Sequence, residues 1–101
     1  MPDSSNTERV FYLYAIASIR RNYIYVGISE NVIVRFWRHN NGLERTTAAY
    51  KPYILIYTEE CAGREAARKR EIYFKNASGK TKLRRIRREL FWLMGVAGLP
   101  A

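Results

Sequence analysis

From Val10 to Ala17 the chain reads Val-Phe-Tyr-Leu-Tyr-Ala-Ile-Ala, aromatic or aliphatic at every position. A strand with one wet face alternates apolar and polar residues, whereas an uninterrupted short run of this kind reads as a strand buried on both faces. Such a strand needs apolar cover, and the rest of the chain has to supply it. Tyr23 to Ile28 is again β-prone, with Gly27 near its end, and Ile19 to Asn22 carries two arginines and an asparagine suited to a turn. Together they predict an antiparallel hairpin. With the turn centred near Arg20, Tyr14 and Tyr25 fall almost opposite each other on one face.

Asn31 is suited to cap a helix over Val32 to Asn40, in which Val32, Ile33, Phe36 and Trp37 share an apolar face. Arg35 and His39, four apart, stack at the edge of that stripe, and Asn41-Gly42 ends it. Leu43 to Lys51 reads as a polar, basic loop. Tyr53 to Glu59 is a third strand, and Cys61 to Gly63 a short connection. Arg64 to Asn76 is predicted helical, Ser78-Gly79 breaks it, and Lys80 to Met94 forms a last helix striped by Leu83, Ile86, Leu90 and Leu93. Gly95, Gly98 and Pro100 end that pattern. The order is β-β-α-β-α-α, an α+β fold in which helices cover a small three-stranded antiparallel sheet. With 101 residues there is room for one core. Residues 1–9 read as a flexible lead-in, 10–80 as the main domain, and 81–101 as a basic and apolar helix with a tail.

Eighteen Lys and Arg against nine Asp and Glu leave a formal charge of +9. That surplus points to a polyanionic partner, nucleic acid before an anionic membrane surface. One cysteine, Cys61, excludes an internal disulfide and multi-thiolate zinc sites, and one histidine, His39, excludes two-histidine schemes. Met1 to Glu8 lacks the apolar region of a signal peptide, and Leu90 to Ala101 is too short to span a bilayer. A soluble, cytoplasmic protein is the expectation.

Chemistry has to come from phenols, arginines, a few carboxylates and one imidazole. Arg35 beside the two phenols makes a planar fork for phosphate oxygens, or else lies on a solvated face with Arg38. Glu71 is the only acid between Glu65 and Glu89. It either pairs with Arg68 and Lys75 or holds a cation.

The ordered set Tyr12-Leu13-Tyr14, Tyr25-Val26-Gly27, Arg35 with His39 and Gly42, and Lys69-Arg70-Glu71 resembles the GIY-YIG nuclease superfamily, especially its small stand-alone bacterial members. Tyr50-Lys51-Pro52-Tyr53, Leu55 to Glu60 and Glu65 to Glu71 are similar to those members too. The resemblance runs from about Val10 to Lys80. It implies that Tyr14 and Tyr25 are the tyrosines of the two triplets and Gly27 the closing glycine, at a tight turn toward the first helix. By the same resemblance Arg35 is the catalytic arginine, His39 the residue one turn later, and Glu71 the metal-binding glutamate. The sequence departs from the pattern in its triplets: the first keeps only its tyrosine, and the second is a conservative Tyr-Val-Gly. Ser29 stands in the neighbourhood where some members carry a lysine, and the late asparagine of some members has no match, Asn76 being too near Glu71.

The implied activity is hydrolysis of DNA phosphodiesters with Mg²⁺ or Mn²⁺, structure-dependent or of low sequence specificity, on branched or nicked DNA in repair or processing. Tyr14 would serve as base, its phenol pKa lowered by adjacent cations. Arg38, Arg45, Lys51, Arg70, Lys75 and Lys80 are the candidates for phosphate contacts, with Arg84, Arg85, Arg87 and Arg88 either joining them or forming a solvated helix face. Two alternatives stand beside the enzyme. One is a catalytically weak or inactive nucleic-acid-binding module of the same fold. The other is a membrane-surface or partner-docking role for Lys80 to Leu99, although Phe91, Trp92 and Leu93 are expected to pack on the sheet or on a second subunit.

Overall fold

A computed structural model describes residues 9–95; the expectations for residues 1–8 and for Gly98 and Pro100 lie outside the described residues. The elements are β1 (Val10–Ser18), β2 (Ile24–Ser29), α1 (Val32–Asn40), β3 (Tyr53–Ala62), α2 (Arg64–Lys75) and α3 (Ala77–Leu93), with a 3-10 turn at Ala48–Tyr50. This is the predicted α+β order, β-β-α-β-α-α.

The three strands form one antiparallel sheet in the order β2-β1-β3. The apolar run of β1 is therefore the middle strand. Its alternation divides the molecule in two. Leu13, Ala15 and Ala17 face a core completed by Phe74 of α2 and by Leu83 and Phe91 of α3. Tyr14 and Ile16 face the other way, against Tyr53, Tyr25 and the α1 residues Val32 and Phe36. Each large apolar side chain fully withdrawn from water contributes about 1.5–3 kcal/mol. One side of the sheet is thus an ordinary hydrophobic core, and the other is a layer of tyrosines under α1.

A bulge lies between Ala15 and Ile16 in the pairing with β3, where Ala15 faces Tyr57 and Ile16 faces Leu55. The extra residue lets Ile56 and Tyr57, neighbours in sequence, both reach the larger core. At the start of β3, Asn40 ties the end of α1 to the strand: Tyr53 N donates to its side-chain oxygen at 2.6 Å, and its amide donates to Tyr53 O at 3.2 Å.

Several boundaries differ from the sequence expectation. The hairpin turn is centred between Arg20 and Arg21, because Tyr14 pairs with Gly27 and Ile16 with Tyr25. Tyr14 and Tyr25 are therefore diagonal rather than opposite. β3 continues through Cys61, which joins the larger core instead of a connection. On α1, Asn31 caps as expected, accepting from Val34 N at 3.1 Å. Its apolar stripe is narrower than predicted, with Ile33 80% and Trp37 57% exposed. Of the three residues expected to pack near the end of α3, Phe91 is buried, while Trp92 and Leu93 face solvent. Arg87, placed by sequence on a solvated face or among the phosphate contacts, is buried.

The break between α2 and α3 falls at Asn76, not at Ser78-Gly79. Asn76 is extended and caps α3 by accepting from Gly79 N at 3.1 Å. Ser78 and Gly79 then occupy the first turn of α3. Gly79 is buried there because the end of α2 packs directly on it: a Cβ at this position would overlap Tyr73 O and Phe74 Cα. In an open helix Gly→Ala is worth up to about 1 kcal/mol of added stability. Here the backbone contact reverses the sign. Gly79→Ala is expected to destabilise the fold by about 1–3 kcal/mol in urea unfolding; a stabilised variant would show that α2 and α3 are not packed this closely.

Candidate active site

The tyrosine layer under α1 holds the one hydrogen-bonded chain of buried polar side chains among the described residues. Tyr14 and His39 are both essentially without exposed surface. The Tyr14 hydroxyl lies 2.8 Å from His39 Nε2, and His39 Nδ1 lies 2.7 Å from Thr47 Oγ1. Thr47 in turn donates to Glu44 O at 3.4 Å. A threonine hydroxyl has one proton, so with that proton on Glu44 O it accepts from the imidazole Nδ1–H. Nε2 is then the lone-pair nitrogen, and the Tyr14 hydroxyl donates to it.

Electrostatics support the same assignment. Burial, with the nearby Arg35 and Arg38, holds His39 below the ordinary histidine value, and Glu44 opposes them. His39 is therefore neutral at neutral pH. Burial also pushes the Tyr14 phenol well above the ordinary tyrosine value; Arg35 pulls it down, while Tyr25, Glu44 and Glu71 push it up. This corrects the expectation of a phenol lowered by adjacent cations. Desolvation outweighs the guanidinium, so Tyr14 is protonated and its proton already points at an acceptor.

Rings pack around that acceptor. His39 lies 5.8, 5.0 and 6.2 Å from the centroids of Tyr14, Tyr25 and Tyr53. Tyr14 and Tyr25 are 6.3 Å apart. Tyr53 is fixed by donating its hydroxyl to Thr47 O at 2.7 Å.

Gly27 makes room for this arrangement. Its backbone is not in the left-handed region, so it does not serve the tight turn expected of it. What it lacks is a side chain. A Cβ there would fall 2.8 Å from the Tyr14 hydroxyl oxygen and 2.9 Å from Tyr25 Cε2.

Arg35 lies one turn before His39 on α1. Its Nε is 3.3 Å from Glu44 Oε2, yet this buried nitrogen has no hydrogen-bond partner among the described residues. Glu44 is taken by Arg38, whose Nε donates to Oε2 at 2.7 Å. That contact keeps the Glu44 carboxyl below the usual carboxylate range. Arg35 thus carries an unsatisfied donor beside the Tyr14-His39 pair, a cost that an incoming acceptor oxygen would remove.

Glu71 shares no hydrogen bond or ion pair with these residues. It is on α2, whose Ala67 and Phe74 join the larger core, and it lies near enough for its charge to help raise the Tyr14 phenol. Its carboxylate is held by Lys75 at 3.1 Å and Arg68 at 3.7 Å, with the side chain 14% exposed. No group of three or more His, Cys, Asp or Glu side chains suited to a metal exists among the described residues. A metal cage built by protein alone does not fit. One carboxylate sharing a magnesium ion with water and a substrate phosphate does, as that ion is commonly bound.

The expected phosphate contacts divide into two groups. Arg38 and Arg70 are engaged internally, Arg38 with Glu44 and Leu43 O, and Arg70 with both carboxylate oxygens of Glu59. Lys75 pairs with Glu71. Arg45, Lys51 and Lys80 are exposed and have no ion-pair partner among the described residues. Sequence reasoning passed over Glu44 and Thr47. Neither had a signal in local spacing, because both act from a loop folded back under α1.

A GIY-YIG catalytic domain matches residues 10–85, so the chain belongs to that family, which is a nuclease family. Among curated proteins it is 32% identical over 78 residues to a UPF0213 protein of Desulfotalea psychrophila, covering 75% of this chain and 71% of that one. It is 33% identical over 76 residues to a UPF0213 protein of Staphylococcus haemolyticus, covering 74% of this chain and 92% of that one. No solved structure matches.

The close approach at Gly27 carries a prediction. Gly27→Ala is expected to displace the Tyr14 ring and lower stability by about 1–3 kcal/mol, read as a shift of the urea midpoint. An unchanged midpoint would mean that the phenol is not confined as described.

Proposed function

We propose that the chain is a metal-dependent endonuclease that hydrolyses DNA phosphodiesters, with low sequence specificity or with a preference for nicked or branched structures, in DNA repair or processing. The observation that carries this reading is the buried Tyr14-to-His39 hydrogen bond, 2.8 Å long and oriented from phenol to neutral imidazole, with the unsatisfied Arg35 Nε beside it.

In this reading Arg35, whose side chain is 32% exposed although its Nε is buried, receives a phosphoryl oxygen of the scissile group on its outer nitrogens and offsets charge growing on the phosphorus oxygens. Tyr14 takes a proton from the attacking water while passing its own to His39 Nε2. The relay removes the need for a free phenolate, which burial forbids. Thr47 holds the imidazole in the required tautomer, and Tyr25 orients the water or phosphate. Glu71 would hold Mg²⁺ or Mn²⁺, which when bound polarises the phosphate and stabilises the leaving oxygen. Exposed Arg45, Lys51 and Lys80 grip the backbone without reading bases.

The complete burial of Tyr14 favours a second reading, a module of the same fold that binds nucleic acid without cutting it. Incubation of nicked, branched and supercoiled DNA with Mg²⁺ or Mn²⁺ separates the two. The enzyme cleaves at least one of these, loses cleavage on Glu71→Gln, and slows roughly 100- to 10,000-fold on Tyr14→Phe with binding intact. Salt-sensitive binding with no cleavage of any substrate would establish the module instead.

The imidazole sets the pH dependence. His39 is held below its unfolded value by burial and by Arg35 and Arg38, against Glu44. Folded protein therefore binds fewer protons there than unfolded protein, and acid favours unfolding. Stability from this group is complete above the unfolded histidine value and is lost as pH falls toward the lowered folded one. Cleavage should fall through the lowered value as Nε2 becomes protonated. His39→Gln should remove this acid limb from the rate profile along with most of the rate; an acid limb that survives the substitution would assign it to another group.

A further inference from the structure

Along β2, the free edge of the sheet on the side away from β3, the structure contains a cleft of about 500 Å³. Tyr23 and Tyr25 line it from the sheet, and Lys75, Lys80, Arg84 and Arg87 from the helical layer, with no acidic side chain among its described lining residues. Arg87 is the unusual member. It is 8% exposed, and it has no ion-pair or hydrogen-bond partner among the described residues. Its nitrogens are not fully occluded, unlike the unsatisfied Arg35 Nε. The stem is therefore packed while the guanidinium opens into the cleft. Burial and the charge of Arg84 both disfavour its protonated form.

A buried guanidinium facing a second guanidinium without a carboxylate is costly, and an anion between them removes the cost. Forked arginine donors match the oxygens of a phosphate. The cleft also adjoins the candidate active site. Tyr25 lines the cleft and packs 5.0 Å from His39, and Lys75 lines it while pairing with Glu71.

We propose that this cleft seats a backbone phosphate of the nucleic acid next to the one bound at Arg35, with Arg87 as its anchor, Arg84 and Lys80 as flanking donors, and Tyr23 as a face for the adjoining base or sugar. The inference rests on the reading of the chain as a nucleic-acid-processing domain. It adds that the strand passes around the β2 edge of the sheet, and that α3 belongs to the substrate surface.

Binding of a fluorescein-labelled nicked duplex, measured in EDTA over a series of salt concentrations, tests it. Arg87→Met keeps the buried stem, and Lys80→Gln with Arg84→Gln alters exposed positions that leave the fold intact should the first variant unfold. Each variant that melts like wild type is expected to bind roughly tenfold or more weakly, with the slope of log affinity against log salt reduced by about 1 for each phosphate no longer neutralised. Unchanged affinity and slope in the folded cleft variants would overturn the proposal. So would a result in which inorganic phosphate binds through Arg87 while the duplex does not depend on it, which would make the cleft a seat for a free anion. A wild-type protein that binds through the cleft yet cleaves nothing would sink the nuclease reading alone, and cleavage with cleft-independent binding would sink this inference alone.

Discussion

The parity of β1 governs the molecule. A middle strand with apolar residues on both faces must be covered twice, and each residue is committed to one cover or the other. Leu13, Ala15 and Ala17 go to the core under α2 and α3, and Tyr14 and Ile16 go to the layer under α1. A slip of one residue would send Tyr14 into the hydrophobic core and bring Leu13 and Ala15 beneath His39. The chemistry of the tyrosine layer is therefore protected by the same register that builds the core. The bulge at Ala15/Ile16 adjusts β3 to that register without moving β1.

Within the tyrosine layer, desolvation dominates charge. The chain carries twice as many basic as acidic residues, and a phenol and an imidazole in such a field would be expected to titrate according to the cations around them. Instead the phenol is raised and the imidazole lowered, burial being the largest cause for each. Both shifts favour the uncharged pair, so a neutral hydrogen bond survives beside Arg35 and Arg38. Glu44 completes the balance, since its carboxylate sits against both guanidiniums. A donor proton and its acceptor are thus kept ready in a place where neither a phenolate nor an imidazolium would be stable alone.

Most of the fold was readable because its elements obey simple periods. The apolar run of β1, the Asn31 cap and the order of elements all follow from local pattern. The failures have a common cause in contacts between distant segments. Ser78-Gly79 looks like a break, but Gly79 is in a helix because only a residue without a side chain lets α3 start against the end of α2. Gly27 looks like a turn residue, and its use is to leave space for a phenol on the neighbouring strand. Ile33 and Trp37 fit a helical stripe by angle, but of the four stripe residues Val32 and Phe36 are the ones that pack on the tyrosine layer. The Tyr14, Tyr25, Arg35 and His39 grouping was suggested by strand parity and helix spacing, and family resemblance gave its members their roles. Thr47 and Glu44, which set its tautomer and charge, were invisible because they come from a loop that no period describes.

The distribution of acids shows what the remaining positive charge can do. Of the carboxylates that form ion pairs among the described residues, Glu30, Glu44, Glu59 and Glu71 each meet at least one arginine or lysine. These pairs are internal and mostly partly exposed, so they contribute little stability. Their larger consequence is subtraction. They remove Arg9, Arg35, Arg38, Arg68, Arg70 and Lys75 from the freely available cations and leave the other twelve lysines and arginines, Arg45, Lys51, Lys80, Arg84 and Arg87 among them, without a carboxylate among the described residues. Of these, Lys80, Arg84 and Arg87 line the β2-edge cleft together. An edge strand is ordinarily a hazard, because its unpaired backbone groups invite another strand. Here the free edge of β2 borders a cationic cleft, so a second copy approaching it meets like charge, whereas a polyanion meets compensation.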